Sequence, residues 1–315
     1  MTNDKKQDVI ELNLLILGSG PAGLSAALYA ARADLKPLVM TGMTLHGQAS
    51  TTDTIENYPG FPNGIGGTEL GQLFQTQAER FGAEIELDQA TKVDLTKQPL
   101  LIESYSKQYQ VKSLIITTGA DPKKLGIPGE KEFTGRGVSY CGTCDGWFFK
   151  EKDVVVVGGG DSALEEGLFL TRFANSVTII HRRAELRAGA ILEKRAKNNP
   201  KIRFIWETVI TEIIGDNGVS AVKLHNVKTG EDKNHRTDGI FIFIGHKPNS
   251  ELFAGQLELD DAGYILVNQS METSVPGVFA AGEIADPHFR QVITSAGMGA
   301  AAAIQATRYL ENLES

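Results

Sequence analysis

Cys141 and Cys144 are the only two cysteines in a chain of 315 residues, and they stand in the run Cys141-Gly142-Thr143-Cys144-Asp145. A C-x-x-C brings two sulfurs close enough for a reversible bond, and the start of a helical turn can lower a thiol's pKa. Two close thiols in a reducing compartment point to redox catalysis more than to a structural staple. A closed zinc site needs a denser Cys/His cluster, and the nearest histidine after the motif is His181. His225, His235, His246 and His288 form no sequence cluster either, so no metal is expected. Asp145 has two readings: an acid–base group whose pKa burial can raise, and a helix cap.

The elements around this pair follow from an internal repeat. Residues 14–43 read LLILGSGPAGLSAALYAARADLKPLVMTGM, and residues 154–183 read VVVVGGGDSALEEGLFLTRFANSVTIIHRR. They align without a gap, pairing Gly18 with Gly158, Gly20 with Gly160 and Gly23 with Ala163. Each copy runs from an apolar stretch through a glycine-rich turn and an amphipathic stretch to a second apolar run. That is the βαβ unit that opens a dinucleotide-binding fold. One glycine makes the tight turn, one admits the backbone to a pyrophosphate, and the third lets helix pack on strand. The helix N-terminus then offers free N–H groups and the positive end of its dipole. Asp161 is expected to cap the second helix, because a carboxylate sits awkwardly beside phosphates. Glu165 and Glu166 are expected on that helix's exposed side.

A second echo, SLIITTGADP at 113–122 and GIFIFIGHKP at 239–248, marks where the chain passes between domains. The fold expected is α/β, with two Rossmann-like dinucleotide-binding domains, one inserted in the other. The inserted domain spans 120–247, and the outer one combines 1–119 with 248–315. The ends of the second strands distinguish the nucleotides. The first copy ends Val39-Met40-Thr41-Gly42, with nothing basic. The second ends His181-Arg182-Arg183 and is followed by Arg187, a cluster that suits the 2′-phosphate of NADP. The alternative for the cluster is a solvated surface patch. The run TSVPGVFAAGEIAD at 273–286 ends a β-rich segment in Gly282 and an acid, Glu283, as FAD-dependent oxidoreductases do.

Over nearly its whole length the chain resembles the low-molecular-weight thioredoxin reductases. The resemblance rests on GSGPAG at 18–23, ENYPG at 56–60, CGTCDG at 141–146, the loop at 158–163, HRR at 181–183 and ITSAG at 293–297. It implies FAD held by Gly18, Ser19, Gly20, Pro21, Ala22, Gly23, Thr41, Gly42, Gly47, Gln48, Asn57, Gly119, Gly282, Glu283, Arg290, Gln291 and Val292. It implies NADPH held by Gly158, Gly160, Asp161, Ser162, Ala163, His181, Arg182, Arg183, Arg187 and Gly245. Cys144 would take electrons from the flavin, Cys141 would attack the disulfide of thioredoxin, and Asp145 would manage protons. Arg136, Trp147 and Phe148 would meet thioredoxin, although aromatics there also suit a core. The inserted domain would rotate so that nicotinamide and Cys144 reach the flavin in turn, with Gly119 and Gly245 as hinges. A homodimer is implied too. Two residues depart from the family pattern: Glu283 stands for the usual Asp, and His46 for the first glycine of GGQ.

Bulk properties narrow the classes. A net charge of −8 argues against non-specific nucleic-acid binding, which needs a basic face. No apolar run approaches the ~20 residues of a membrane span. The longest, around 297–306, is mostly Ala and Gly and suits a closely packed helix. The first residues lack the apolar core of a secretory signal, which favours the cytoplasm. Three alternatives remain: a ferredoxin donor, another disulfide or dithiol partner (small dithiols oxidised with oxygen included), and a nucleotide-sensing module without turnover. The arginine cluster favours NADPH over ferredoxin, and ferredoxin–NADP reductases of similar architecture lack the C-x-x-C. No thioredoxin-like domain precedes Met1, which disfavours a peroxidase reductase.

Overall fold

The computed structural model describes residues 9–52 and 54–314, so the segment read for a secretory signal lies outside the described residues. The chain forms two compact units, one of residues up to 121 with those from 247, the other of residues 122–246.

The first unit is built on a seven-stranded sheet. Its order is Glu84–Glu86, Leu38–Met40, Val9–Leu17, Gln108–Ile116, Leu100–Ser104 and Ala90–Asp94, with Val278–Ala280 also paired to Gln108–Ile116. The pairs among Glu84–Glu86, Leu38–Met40, Val9–Leu17 and Gln108–Ile116, and the Val278–Ala280 pair, are parallel. The other two pairs are antiparallel. Strands covered on both faces need apolar residues at every position, and Leu14, Leu15 and Ile16 are wholly buried. Alternate residues feed two cores: Leu15, Leu17 and Met40 face one, Leu14, Ile16 and Val39 the other. The second core is closed by helices Pro21–Arg32 and Val292–Glu314. Pro21 starts its helix where the missing N–H costs nothing. Small residues let these helices approach to backbone contact: a methyl built on Gly299 would lie 2.0 Å from the Ala22 carbonyl oxygen. No helix among the described residues is long and apolar enough to cross a membrane.

The second unit carries a parallel five-stranded sheet ordered Ile202–Ile205, Ser176–Ile180, Asp153–Val157, Gly239–Ile242 and Val138–Ser139. Helices Asp161–Leu170 and Ala190–Lys197 cover one face. An antiparallel sheet of Thr208–Gly215, Val219–Asn226 and Asp232–Arg236 supplies core residues to the other. In both units a central strand runs through a glycine loop into a helix, and the loop lies at the strand's carboxyl end, where open α/β sheets bind ligands.

Candidate active site

In the first glycine loop each glycine meets a different constraint. Gly18 has φ +108°, and a methyl on it would lie 2.4 Å from the Thr117 carbonyl oxygen. A methyl on Gly23 would lie 1.9 Å from the Gly18 carbonyl oxygen. Gly20 is different: its nearest such neighbour is Gly47 Cα at 3.9 Å, so its face is open. Thr117 ties the loop down, its hydroxyl lying 2.8 Å from the Leu17 carbonyl and 3.0 Å from that of Gly18. Ser19 Oγ is buried and accepts the His46 N–H at 3.1 Å, joining this loop to the 46–48 segment. Thr41 and Gly42 close the pocket's edge through N–H bonds to the Glu86 and Asp88 carbonyls, both 3.0 Å.

His46 is buried with φ +64°. Its Nε2 donates to Gln75 Oε1 at 2.8 Å, and its Cβ lies where a methyl on Gly71 would come within 2.5 Å. The ring is therefore packed on helix Gly67–Arg80, away from the open face of Gly20. Gln48 donates to the Ala120 carbonyl and to Asp121 Oδ1. Gly119, with φ +72°, accepts the Asn249 N–H at 3.0 Å.

The Gly282 turn has φ +78° and rests on Ala22. Asp286 is buried and accepts N–H bonds from His288, Phe289 and Arg290 at 2.9, 3.0 and 3.2 Å, which shapes the loop. Burial pushes the Glu283 carboxyl up to about 7, against the opposing pull of Arg290. Asn57 Nδ2 donates to Gln291 Oε1 at 3.1 Å, so ENYPG and the start of helix Val292–Glu314 meet.

The second glycine loop repeats the pattern. Gly158 has φ +150°, and a methyl there would lie 2.4 Å from the Phe243 carbonyl oxygen, while Gly160 has nothing within 4 Å. Ala163 takes the place of the third glycine and is fully buried. Gly160 is the N-cap of helix Asp161–Leu170, so Asp161 is its first helical residue rather than the expected cap. Its carboxylate instead accepts the Gly189 N–H at 2.7 Å. Ser162 is exposed at the loop's rim.

His181 is buried under this loop, its ring against Gly159, and Nε2 donates to the Glu185 carbonyl at 3.0 Å. Burial is the main reason its pKa is lowered, and the nearby arginine charges add to the effect. Arg182, Arg183 and Arg187 are exposed, and none of the three forms a side-chain ion pair among the described residues. The Arg187 N–H reaches the Gly159 carbonyl at 2.7 Å, which holds its segment beside the loop. Gly245 follows two residues after Phe243, whose carbonyl abuts Gly158, and has φ +104° with its carbonyl accepting the Lys123 N–H at 2.9 Å.

Cys141 and Cys144 are joined in a disulfide across the short helix Gly142–Asp145. Cys141 Sγ accepts the Cys144 N–H at 3.2 Å and the Thr143 hydroxyl at 3.4 Å. Asp145 Oδ2 accepts the Ser139 hydroxyl at 2.5 Å, and that hydroxyl oxygen accepts the Cys141 N–H at 3.1 Å. Ser139 is a site residue the motif did not reveal: it precedes the C-x-x-C by two residues, and only the turn brings it back to Asp145. Trp147 and Phe148 are exposed beside the disulfide. Trp147 packs edge-on against Phe173 with Lys150 over its ring. Arg136 is exposed, donates to the Glu132 carbonyl at 2.7 Å and lies over Phe133.

Glu166 corrects the expected helix face. Glu165 is exposed, but the Oε2 of Glu166 is closed to solvent and lies against Gly142. The available signal was spacing. Glu166 lies three residues after Ala163 and four before Leu170, both on the buried stripe.

Two open glycine faces at helix N-termini suit two pyrophosphates, and a disulfide between nearby cysteines suits thiol exchange. Comparison with known proteins gives the same chemistry. The family model for pyridine nucleotide-disulphide oxidoreductases matches residues 12–300. A thioredoxin reductase of Streptomyces coelicolor is 49% identical, over 96% of this chain and 94% of that protein. The crystal structure of thioredoxin reductase from Streptococcus pyogenes superposes with a TM-score of 0.92 at 42% identity, covering 97% of this chain and 100% of that one. A Lactococcus lactis thioredoxin reductase, also 42% identical, covers 96% of this chain and 99% of its own with a TM-score of 0.65, in a structure titled as the FR conformation. By this likeness along nearly its full length, the chain belongs to the pyridine nucleotide-disulphide oxidoreductases, within the group of bacterial-type thioredoxin reductases.

Proposed function

We propose that this chain takes electrons from NADPH by way of FAD to the Cys141–Cys144 disulfide, and from the resulting dithiol to thioredoxin. The observation that carries this reading is a disulfide-bonded C-x-x-C in the same unit as a glycine loop flanked by three exposed arginines. FAD, when bound, supplies the two-electron relay between nicotinamide and disulfide. Gly18, Gly20 and the first N–H groups of helix Pro21–Arg32 hold its pyrophosphate, Glu283 its ribityl chain, and Asn57, Arg290, Gln291 and Val292 the flavin itself. Gly158, Gly160 and the start of helix Asp161–Leu170 hold the NADPH pyrophosphate. Arg182, Arg183 and Arg187 hold its 2′-phosphate.

The dithiol then acts by thiol–disulfide exchange. The Cys141 thiolate attacks one sulfur of the thioredoxin disulfide, whose other sulfur departs and takes a proton. Cys144 attacks Cys141 Sγ, which restores the Cys141–Cys144 bond and releases the second thioredoxin thiol. Asp145, fixed by Ser139, exchanges the protons these steps require. Arg136, Trp147 and Phe148 form the docking surface. The reading includes a cytoplasmic homodimer and a rotation of residues 122–246 about their two connections. Two relatives of equal identity to this chain superpose on it with TM-scores of 0.92 and 0.65, which supports more than one arrangement within the family.

The decisive experiment is an anaerobic absorbance titration of the purified flavoprotein with NADPH and then NADH. Bleaching by NADPH with a much weaker response to NADH is expected. A flavin that neither nucleotide reduces refutes the donor and directs attention to ferredoxin. Cys141→Ser is expected to keep flavin reduction by NADPH and lose thioredoxin turnover. Retained turnover would displace Cys141 as the nucleophile.

A further inference from the structure

Within the unit of residues 122–246, the redox turn rests on helix Asp161–Leu170, and Glu166 makes the contact. A methyl built on Gly142 would lie 2.3 Å from Glu166 Oε2. The carboxylate therefore fills the space that an alanine side chain would take at the second position of the C-x-x-C. Gly142 is not among the glycines with positive φ, so the backbone does not require glycine here. What a side chain at this position would meet is the end of the Glu166 side chain, which would have to move.

A charge shielded from water acts strongly over short distances. A negative charge beside a thiol opposes thiolate formation. The Cys144 N–H and Thr143 hydroxyl on Cys141 Sγ act in the opposite sense, favouring charge on that sulfur. The other titratable groups on the surrounding elements are few. Asp145 is on the turn itself, and Asp161 and Glu165 are on the helix, both exposed. Strand Val138–Ser139 and the turn Gly146–Phe149 contribute none.

We propose that Glu166, seated against Gly142, is a positioning residue that holds the Cys141–Cys144 dithiol toward its protonated form. The proposal rests on the reading of these cysteines as the redox pair. Reduction breaks the Sγ–Sγ bond and consumes two electrons from the reductant, NADPH in turnover. It takes up two protons if both sulfurs end as thiols, and one if one stays a thiolate. Glu166 moves that count toward two at a given pH.

The test uses the full-length, FAD-loaded protein, reduced with dithiothreitol, freed of excess reductant, and alkylated with iodoacetamide across a pH series. Glu166→Gln is expected to move the pH of half-maximal alkylation down by about one unit. Gly142→Ala keeps the carboxylate but forces it from its seat, and is expected to move the profile the same way. An unchanged profile for Glu166→Gln, with wild-type flavin content and circular dichroism, overturns the proposal. A shift in Glu166→Gln that Gly142→Ala does not share also overturns it, because the carboxylate would then act from another position. If Glu166→Gln does not fold, Gly142→Ala decides alone. Dithiothreitol makes the result independent of the donor: a disulfide that it opens and NADPH does not counts against the electron route and leaves the ionisation measurement intact.

Discussion

Single side chains set the chemistry at each end of the proposed route. Glu283 is the clearest case in which burial rather than a partner sets protonation, with its carboxyl pushed up to about 7. A carboxyl with a higher pKa folded than unfolded supports the fold while protonated. For Glu283 that contribution is full below 4.5, the ordinary value, and is lost as the pH climbs through about 7. Glu283→Gln stays uncharged throughout. In flavin-free protein its melting temperature is expected to rise relative to wild type between roughly pH 5 and pH 8, and a difference that does not vary with pH would refute the buried, protonated carboxyl. The arginines invite a second measurement. Charge-assisted hydrogen bonds are worth roughly 1.5–3 kcal/mol, so replacing Arg182 and Arg183 with Ala should raise the NADPH KM by roughly 10- to 100-fold or more. The KM for NADH should change little, and equal effects on both nucleotides would remove the 2′-phosphate assignment.

At the level of elements, the glycine loops separate residues that shape the turn from residues that face a ligand. Gly23→Ala sets a methyl 1.9 Å from the Gly18 carbonyl oxygen, whereas Gly160→Ala meets nothing within 4 Å. Gly23→Ala is therefore expected to destabilise the protein by about 1–3 kcal/mol and to lose flavin on purification. Gly160→Ala should melt as wild type does and raise the NADPH KM, because its only conflict is with a bound phosphate. Thermal melts and flavin content on the two variants check both statements. The redox turn shows the same division. The C-x-x-C spacing is local and legible in the sequence. The bond from Ser139 to Asp145 and the seat of Glu166 against Gly142 depend on how a strand, a four-residue helix and the next helix pack.

On the scale of the whole molecule, each unit has its own hydrophobic cores, those around Leu15 and Ile16 in one and those around Val156 and Val155 in the other. A ligand that binds only the folded form of one unit stabilises that unit by mass action. Calorimetry of the flavin-free protein is therefore expected to respond separately to its two ligands, FAD raising one transition and NADP⁺ another. A single transition moved equally by both would mean that the units unfold as one.

What the sequence determined by itself was whatever depends on periodicity and local backbone geometry. The apolar runs before Gly18 and Gly158 are read as central strands because parallel strands are covered on both faces, and the paired glycine loops follow because Gly18 and Gly158, where the turns begin, have no room for a side chain. The C-x-x-C narrowed its chemistry to a redox pair through its spacing together with the lack of further cysteines or a clustered histidine. Tertiary structure decided the direction of polar side chains, since direction depends on neighbours distant in the chain. It turned the His46 ring onto Gly71, and it gave the Asp161 carboxylate to the Gly189 N–H instead of the helix cap. It also decided what Glu166 meets: the helical period places this residue on the stripe of Ala163 and Leu170, and the packing of the redox turn on that stripe sets its carboxylate against Gly142.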